Sequence, residues 1–460
     1  MIWTGSDDGL IHITKDSGNN WENVTPSGMP EWMMINSVEI DPFNKGGLYM
    51  AGTRYKMGDY QPYIYKTEDF GKSWKKITSG IPPEHFTRVV RADPNQQGLL
   101  YAGTEAGMYV SFNDGASWQP FQMNLPIVPI TDLAIKDNNL IAATQGRSFW
   151  LIDDLTPLHQ LKEVGNKSHY LFKPMDTWRM SGGNGNTSKK AGTNHPGGVL
   201  VNYFVKDTAA TDTIAISFHE SNGELIKAFS TYPDKEKKEG SLEVKEGFNT
   251  MNWNLRYEGA KKFDGMILWW ATTQGPIAPP GSYTVKMTVN GKESMQDFLL
   301  KGDPRSESTQ ADYQAQFDFL IKVRDKLSET NQAIIDIRKA KKQINDVMKK
   351  ADNDEISELG KAINKDMSEI EKALYQTQNE SGQDPLNFPI RLNNKLGHLG
   401  SLMGMGNNRP TNSALEFYDE VTALINEQLS ALKTIFNTRI DEFNKAVKAA
   451  DVDAVKLSKD

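Results

Sequence analysis

Three copies of one short phrase, each closed by a tryptophan, constrain this chain more than anything else in it. They are Thr14-x-Asp16-x-Gly18-x-x-Trp21, Thr67-x-Asp69-x-Gly71-x-x-Trp74 and Ser111-x-Asn113-x-Gly115-x-x-Trp118. Successive tryptophans lie 53 and 44 residues apart, the period of a four-stranded propeller blade rather than of a helical repeat. Upstream of the phrases, strands end in Gly-Thr or its equivalent, as in Trp3-Thr4-Gly5-Ser6, Ala51-Gly52-Thr53, Ala102-Gly103-Thr104 and Ala142-Ala143-Thr144. Earlier still, the alternating runs Asn36-Ser37-Val38-Glu39-Ile40 and Thr87-Arg88-Val89-Val90-Arg91 lead into Asp41-Pro42 and Asp93-Pro94, the pattern of strands closed by turn residues. The unit reads strand, Asp-Pro turn, strand, Gly-Thr loop, strand, phrase, strand. About three and a half such units fit into residues 1–160.

Within the phrase, the hydroxyl and carboxylate side chains bond the backbone of their own turn, the glycine permits positive φ, and the tryptophan covers the hairpin. Asp16, Gly18, Trp21, Asp69, Gly71, Trp74, Asn113, Gly115 and Trp118 are therefore read as structural. Asn113 keeps the accepting oxygen that the turn requires.

These phrases resemble the Asp-boxes, or BNR repeats, of sialidase-like, xyloglucanase-like and sortilin-type propellers. The run Ala143-Thr144-Gln145-Gly146-Arg147-Ser148-Phe149-Trp150-Leu151-Ile152-Asp153-Asp154-Leu155 resembles the closing blade of bacterial BNR-repeat glycosyl hydrolase-like proteins, and the likeness continues through the rest of the chain. The resemblance implies an exported protein, periplasmic, cell-surface or secreted, with a glycan or peptide ligand at the propeller face. Three function classes stay open: a glycan-processing hydrolase, a non-catalytic sortilin-like platform for peptides or proteins, and a cell-envelope assembly or anchoring protein. Met1 falls inside the second strand of a repeat, and closed propellers typically have four to eight blades. The chain is accordingly expected to be the carboxyl-terminal portion of a longer protein, catalytically incomplete by itself, with its missing blades supplied by upstream sequence or by another chain.

The expected fold class is multidomain, mainly β and then α. A partial propeller over 1–160 is followed by a linker over 161–198 that contains a polar Gly-rich stretch around 181–192. An immunoglobulin-like β-sandwich over 199–305 rests on alternating strands with Asn222-Gly223 and Asn290-Gly291 turns. A helical bundle over 306–460 rests on apolar stripes such as Ile425, Leu429, Leu432, Phe436, Ile440, Phe443 and Val447.

Candidate chemistry lies in the loops after the Gly-Thr strands, at the opposite blade end from the phrases. Glycoside hydrolysis usually needs two carboxylates about 5–9.5 Å apart, so Asp7, Asp8, Asp59 and Glu105 are the catalytic candidates. Arg54 and Arg147 are candidate substrate contacts. Trp269 and Trp270 are read either as sandwich packing or as a sugar-stacking surface. Arg54, Arg88, Arg91 and Arg147 do not assemble into a sialidase-type arginine cluster. The net charge of −7 gives no electrostatic footprint for nucleic acid. With no cysteine, thiolate and disulfide chemistry are excluded. Seven scattered histidines show no metal-ligand spacing, so no metal and no cofactor is expected. No apolar run is long enough to span a bilayer.

Overall fold

The computed structural model describes residues 1–180, 182–183, 192–207, 209, 212–351 and 353–451. Most of the Gly-rich linker stretch, Ser181 and 184–191, lies outside the described residues. The chain divides into two compact units, Met1–Lys173 and Pro174–Asp460.

The first unit is a succession of antiparallel meanders. Strands Ile2–Gly5, Ile11–Thr14 and Glu22–Asn23 form a first, three-stranded blade. Met34–Ile40, Leu48–Arg54, Asp59–Thr67 and Lys75–Lys76 form a second of four strands, and Thr87–Ala92, Leu100–Thr104, Gly107–Ser111 and Gln119–Pro120 a third. A fourth has three strands, Ile130–Lys136, Asn139–Thr144 and Phe149–Ile152, and is followed by helix α1, Thr156–Val164. Apolar residues from adjacent blades meet between the sheets. Tyr49, Ala51 and Ile64 of the second blade pack with Val90, Ala102 and Tyr109 of the third.

The three turns repeat atom for atom. The Oγ1 of Thr14 and Thr67 and the Oγ of Ser111 accept the N–H of Gly18, Gly71 and Gly115 at 2.9, 3.0 and 2.9 Å. They donate to Asp16, Asp69 and Asn113 at 2.8, 2.9 and 2.9 Å. Those side-chain oxygens also accept the backbone N–H of Asn20, Ser73 and Ser117, each at 2.9 Å. The residue before each glycine is left-handed as well: Ser17, Phe70 and Asp114 have φ of 62°, 63° and 61°. That conformation strains an L-residue, and the side-chain hydrogen bonds of the turn hold it.

The tryptophans follow a rule between blades. Trp74 Nε1 donates to the Val24 carbonyl and Trp118 Nε1 to the Ile77 carbonyl, both at 2.7 Å. Each acceptor stands three residues after the preceding blade's own tryptophan. The turn glycines press on the same two residues, since a Cβ on Gly71 would fall 2.6 Å from Val24 and one on Gly115 2.4 Å from Ile77. Trp118 is 4% exposed, whereas Trp21 is 43% exposed.

Hydrogen bonds from the neighbouring Ser73 side chain and backbone hold the Asp69 carboxyl down at about 2, and Asn20 does the same for Asp16. A folded-state value below the unfolded one means a stabilisation fully present above about pH 4 that fades as pH falls toward 2. Asp69→Asn should therefore keep the turn, as Asn113 does in the third copy, and flatten the loss of melting temperature between pH 4 and pH 2. An unchanged acid slope in thermal melts of that variant would contradict this assignment.

In the second unit, a six-stranded sheet has the order Thr177–Trp178, Lys292–Lys301, Gly281–Val289, Ile214–Glu220, Leu225–Ser230 and Gly240–Ser241. Its outer pairs are parallel and its inner pairs antiparallel. Val199–Val205 pairs antiparallel with Gly247–Trp253, and Trp253 packs onto Phe218, Tyr283 and Phe298 of the larger sheet. The turn before Lys292–Lys301 has positive φ at both Asn290 and Gly291, as a two-residue hairpin of type I′ demands.

The same unit contains helices α2 (Gln310–Ala351), α3 (Asp354–Leu374), α4 (Leu392–Met403), α5 (Asn412–Thr434) and α6 (Ile440–Ala449). Thr309 accepts the Asp312 N–H while the Asp312 carboxylate accepts the Thr309 N–H, a reciprocal cap on α2. Asn353 and Thr411 cap α3 and α5. Between α5 and α6 the apolar stripe read as one helix passes through a π-helical turn, Ile435–Arg439. Helix α4 escapes the sequence reading because Asn393, Asn394, Gly397 and Gly400 are poor helix formers. The glycines permit close approach: a Cβ on Gly397 would stand 3.1 Å from Ala271, and one on Gly400 3.4 Å from Val323. Among the described residues, no helix is long and apolar enough to cross a membrane.

Candidate ligand-binding rim

The third strand of the second blade separates the turn phrases from the loops that carry the candidate site residues. Asp59 begins this nine-residue strand and Thr67, the first residue of the phrase, ends it. At about 3.3 Å per residue, some 26 Å separates them. The phrases therefore lie remote from the rim formed by 54–60, 84–88 and 104–107.

On that rim the structure brings Arg54 and Asp59 together. Arg54 Nη1 lies 3.0 Å from Asp59 Oδ2, and Arg54 Nε donates to the Glu31 carbonyl at 2.9 Å. Asp59 also accepts the Tyr63 hydroxyl at 2.8 Å and the Gln61 N–H at 3.1 Å. Burial would raise the Asp59 carboxyl, yet these hydrogen bonds and Arg54 prevail and hold it below the usual carboxylate range. A glycosidase acid needs its pKa raised, so Asp59 is unsuited to donate a proton near neutral pH.

Glu105, from the next blade, pairs with Arg88 at 2.6 Å. Asp7 and Asp8 stand exposed in the turn between Ile2–Gly5 and Ile11–Thr14, and Asp8 accepts the Ser6 hydroxyl of its own turn. Arg147 is exposed and bonds the carbonyl of Gly146 at 2.9 Å. Trp269 and Trp270 belong to the second unit. Asn394 of α4 accepts the Trp269 N–H at 2.7 Å and donates to the Trp269 carbonyl at 2.9 Å, and His398 contacts the Trp270 carbonyl at 2.8 Å. Trp270 has φ 51° and is 76% exposed, and the two indoles meet edge to face. They do not form a coplanar platform.

The sequence reading missed the aromatic part of the rim. Tyr55 stacks on Phe86 with centroids 5.2 Å apart, Tyr60 lies 6.1 Å from Phe86, and the Arg88 guanidinium stands over both Tyr55 and Phe86. Phe86 is buried while Tyr60 is 54% exposed. An anchored aromatic base with an exposed edge and fixed arginines can stack an apolar ring face and direct hydrogen bonds around it. No motif announces this cluster, because Tyr55 lies in a short turn, Tyr60 on the strand that follows it, and Phe86 just ahead of the first strand of the next blade.

A second group was also missed. Arg91 Nη2 lies 2.7 Å from Asp132, Arg91 Nη1 3.7 Å from Glu39, and Arg91 Nε donates to the Leu133 carbonyl at 2.7 Å. Glu39, Arg91 and Asp132 belong to the first strands of three successive blades. Burial pushes the Glu39 carboxyl up, with Arg91 opposing. A signal existed in the sequence: Glu39 and Arg91 occupy the same register, two residues before Asp41-Pro42 and Asp93-Pro94, with opposite charge.

Residues 9–148 match the family model described as Sortilin-Vps10, sortilin, neurotensin receptor 3. Vacuolar protein sorting/targeting protein 10 of Laccaria bicolor is 26% identical over 106 residues, 22% of this chain and 6% of that protein. The oligoxyloglucan-reducing end-specific xyloglucanase of Emericella nidulans is 23% identical over 104 residues, 22% of this chain and 13% of that enzyme. The chain thus spans only a small part of the curated relatives it matches. Among solved structures, the GH74 xyloglucanase from Xanthomonas campestris overlaps 65% of this chain and 43% of its own at 12% identity, with a TM-score of 0.28. YCF48 bound to D1 peptide overlaps 33% of this chain and 46% of its own at 21% identity, with a TM-score of 0.26.

Proposed function

We propose, from the premise that residues 9–148 are a propeller segment of the sortilin and xyloglucanase type, that the chain binds a glycan on the rim made by 54–60, 84–88 and 104–107. The exposed edge of Tyr60 beside the buried Phe86, on which Tyr55 stacks, carries this reading. A pyranose ring would stack on the tyrosines, with Arg54, Asp59, Arg88 and Glu105 bonding its hydroxyls. In this reading the two acids act in recognition. Each is already neutralised by an arginine, and Asp59 holds its charge too firmly to serve as a general acid.

Titration calorimetry with xyloglucan oligosaccharides should give saturable binding without release of reducing ends. Tyr60→Ala should weaken it about tenfold, the worth of one stacked ring. Equal affinity for the Tyr60→Ala protein would remove the rim from consideration. Binding of peptides in place of oligosaccharides would favour the sortilin-like reading of the same surface.

One observation favours a catalytic alternative. Glu39, with its raised carboxyl, and Asp132 flank Arg91 on the first strands of their blades, and two carboxylates in unlike environments are what glycosidases use. Polysaccharide cleavage abolished by Glu39→Gln would establish that reading.

The remaining elements of the proposal are architectural. The three turns are Asp-boxes, the strand pair and the six-stranded sheet of the second unit are an immunoglobulin-like sandwich, and the helices form an accessory bundle. The protein is exported.

A further inference from the structure

The second unit contains a cavity of about 240 Å³ whose lining includes Arg179, Arg256 and Arg324 and no carboxylate. Arg324 has its counterion in Asp325, at 2.6 Å. The other two lack one among the described residues. Arg179 is 5% exposed and spends its guanidinium on neutral acceptors: the Ala278 carbonyl at 3.0 Å, Gln316 Oε1 at 3.0 Å and Asn407 Oδ1. The Tyr313 ring covers it at 5.0 Å. Arg256 is partly exposed and gives Nη1 to the Gly275 carbonyl at 2.8 Å, its one side-chain hydrogen bond among the described residues.

A guanidinium cannot shed its proton in a protein, and an unpaired buried charge is strongly destabilising. Arg179 is the buried one, and Arg256, partly exposed on the same cavity, adds a second cation that repels it. The arrangement is stable only if something offsets that cost, and neutral acceptors do so incompletely.

We infer that this cavity is a binding site for a small organic oxyanion, a carboxylate or phosphate ester, held between Arg179 and Arg256. A fork of parallel N–H donors is the geometry that planar carboxylates and phosphates accept in pairs. The other walls set the body of the ligand: Leu320 and Val323 on one side, and Thr272, Gln274 and Ser401 as hydroxyl and amide groups. At about 30 Å³ per water, the space holds some eight waters or a ligand of monosaccharide size, so a hydroxylated acid such as a uronic acid fits better than an alkyl one. This site uses no residue of the proposed rim and stands or falls apart from it.

The test is calorimetry and thermal shift on the full chain at fixed ionic strength, with sodium glucuronate, inorganic phosphate and uncharged glucose as probes. Glucuronate should bind and raise the melting temperature of the second unit, and glucose should not. Phosphate binding without glucuronate binding would assign the site to phosphoryl ligands. Arg256→Gln should weaken binding of the effective anion about tenfold or more and leave the unliganded melting temperature unchanged or higher, because it removes an uncompensated cation. A purely structural arginine would instead lower that temperature. Should Arg256→Gln fail to fold, Arg256→Lys keeps the charge without the fork and should show an intermediate loss. Equal response to glucose and glucuronate, no response to either anion, or undiminished binding by the variants would overturn the proposal.

Discussion

Trp118→Ala is expected to cost about 3–5 kcal/mol of the first unit's stability, the range for truncating a fully buried aromatic, and Trp21→Ala far less. Trp118 is buried between the second and third blades, among Tyr49, Ile77, Ile81 and Val90. Its removal also strips the Ile77 carbonyl of its donor at 2.7 Å, and an unsatisfied buried acceptor adds roughly 1–3 kcal/mol. Collapse of the cavity is hindered by neighbouring backbone. Gly80, at φ 98°, sits so close to the Trp118 carbonyl that a Cβ there would fall 2.1 Å from its oxygen. Trp118→Phe is intermediate: it keeps one aromatic ring but loses the N–H and part of the indole volume, so it should cost at least about 1–3 kcal/mol and less than Trp118→Ala. Urea unfolding of the three variants decides the matter. If Trp21→Ala and Trp118→Ala proved equally destabilising, the inter-blade rule drawn from Trp74 and Trp118 would be wrong.

Trp253→Ala should cost the second unit a similar 3–5 kcal/mol. This indole is fully buried and joins the strand pair to the six-stranded sheet. It stacks on Phe218 at 4.5 Å and meets Tyr283 and Phe298 edge to face at 6.0 and 6.4 Å. Its Nε1 donates to the Arg256 carbonyl at 3.2 Å, so the side chain also fixes the segment that carries a cavity arginine. Trp253→Phe should keep part of the stability and still weaken anion binding, whereas Trp270→Ala, on a ring 76% exposed, should leave the melting temperature nearly unchanged. A Trp253→Ala protein with wild-type unfolding would mean that the two sheets are held together elsewhere.

The contrast between these tryptophans shows how far sequence reading reaches. Trp21, Trp74 and Trp118 are identical in their phrases, and the period of those phrases gives blade size, strand order and the end of the blade at which the turns lie. Periodicity likewise gives the strands from Val199 onward and the long helices, because burying one face of a strand or helix needs only the local spacing of apolar residues. Helix α4 was not legible, since its glycines serve contact with Ala271 and Val323 rather than helix formation. The exposure of the tryptophans, from 43% at Trp21 to 4% at Trp118, was not legible either, because it depends on what stands in front of each blade.

What the sequence determined by itself is therefore the repeat: turns closed by side chains two to four residues away, and strands whose alternation chooses an inner face. Its chemistry is short-range, and short-range hydrogen bonds follow from spacing alone. Tertiary structure decided the sites. It set Tyr60 beside Phe86 of the next blade, joined Glu39, Arg91 and Asp132 across three blades, and placed Arg179 and Arg256 on one cavity with no carboxylate among its described lining residues. Those groupings join residues up to 93 positions apart, and the energy of a charge or an aromatic edge depends on what packing leaves beside it, which no local pattern encodes.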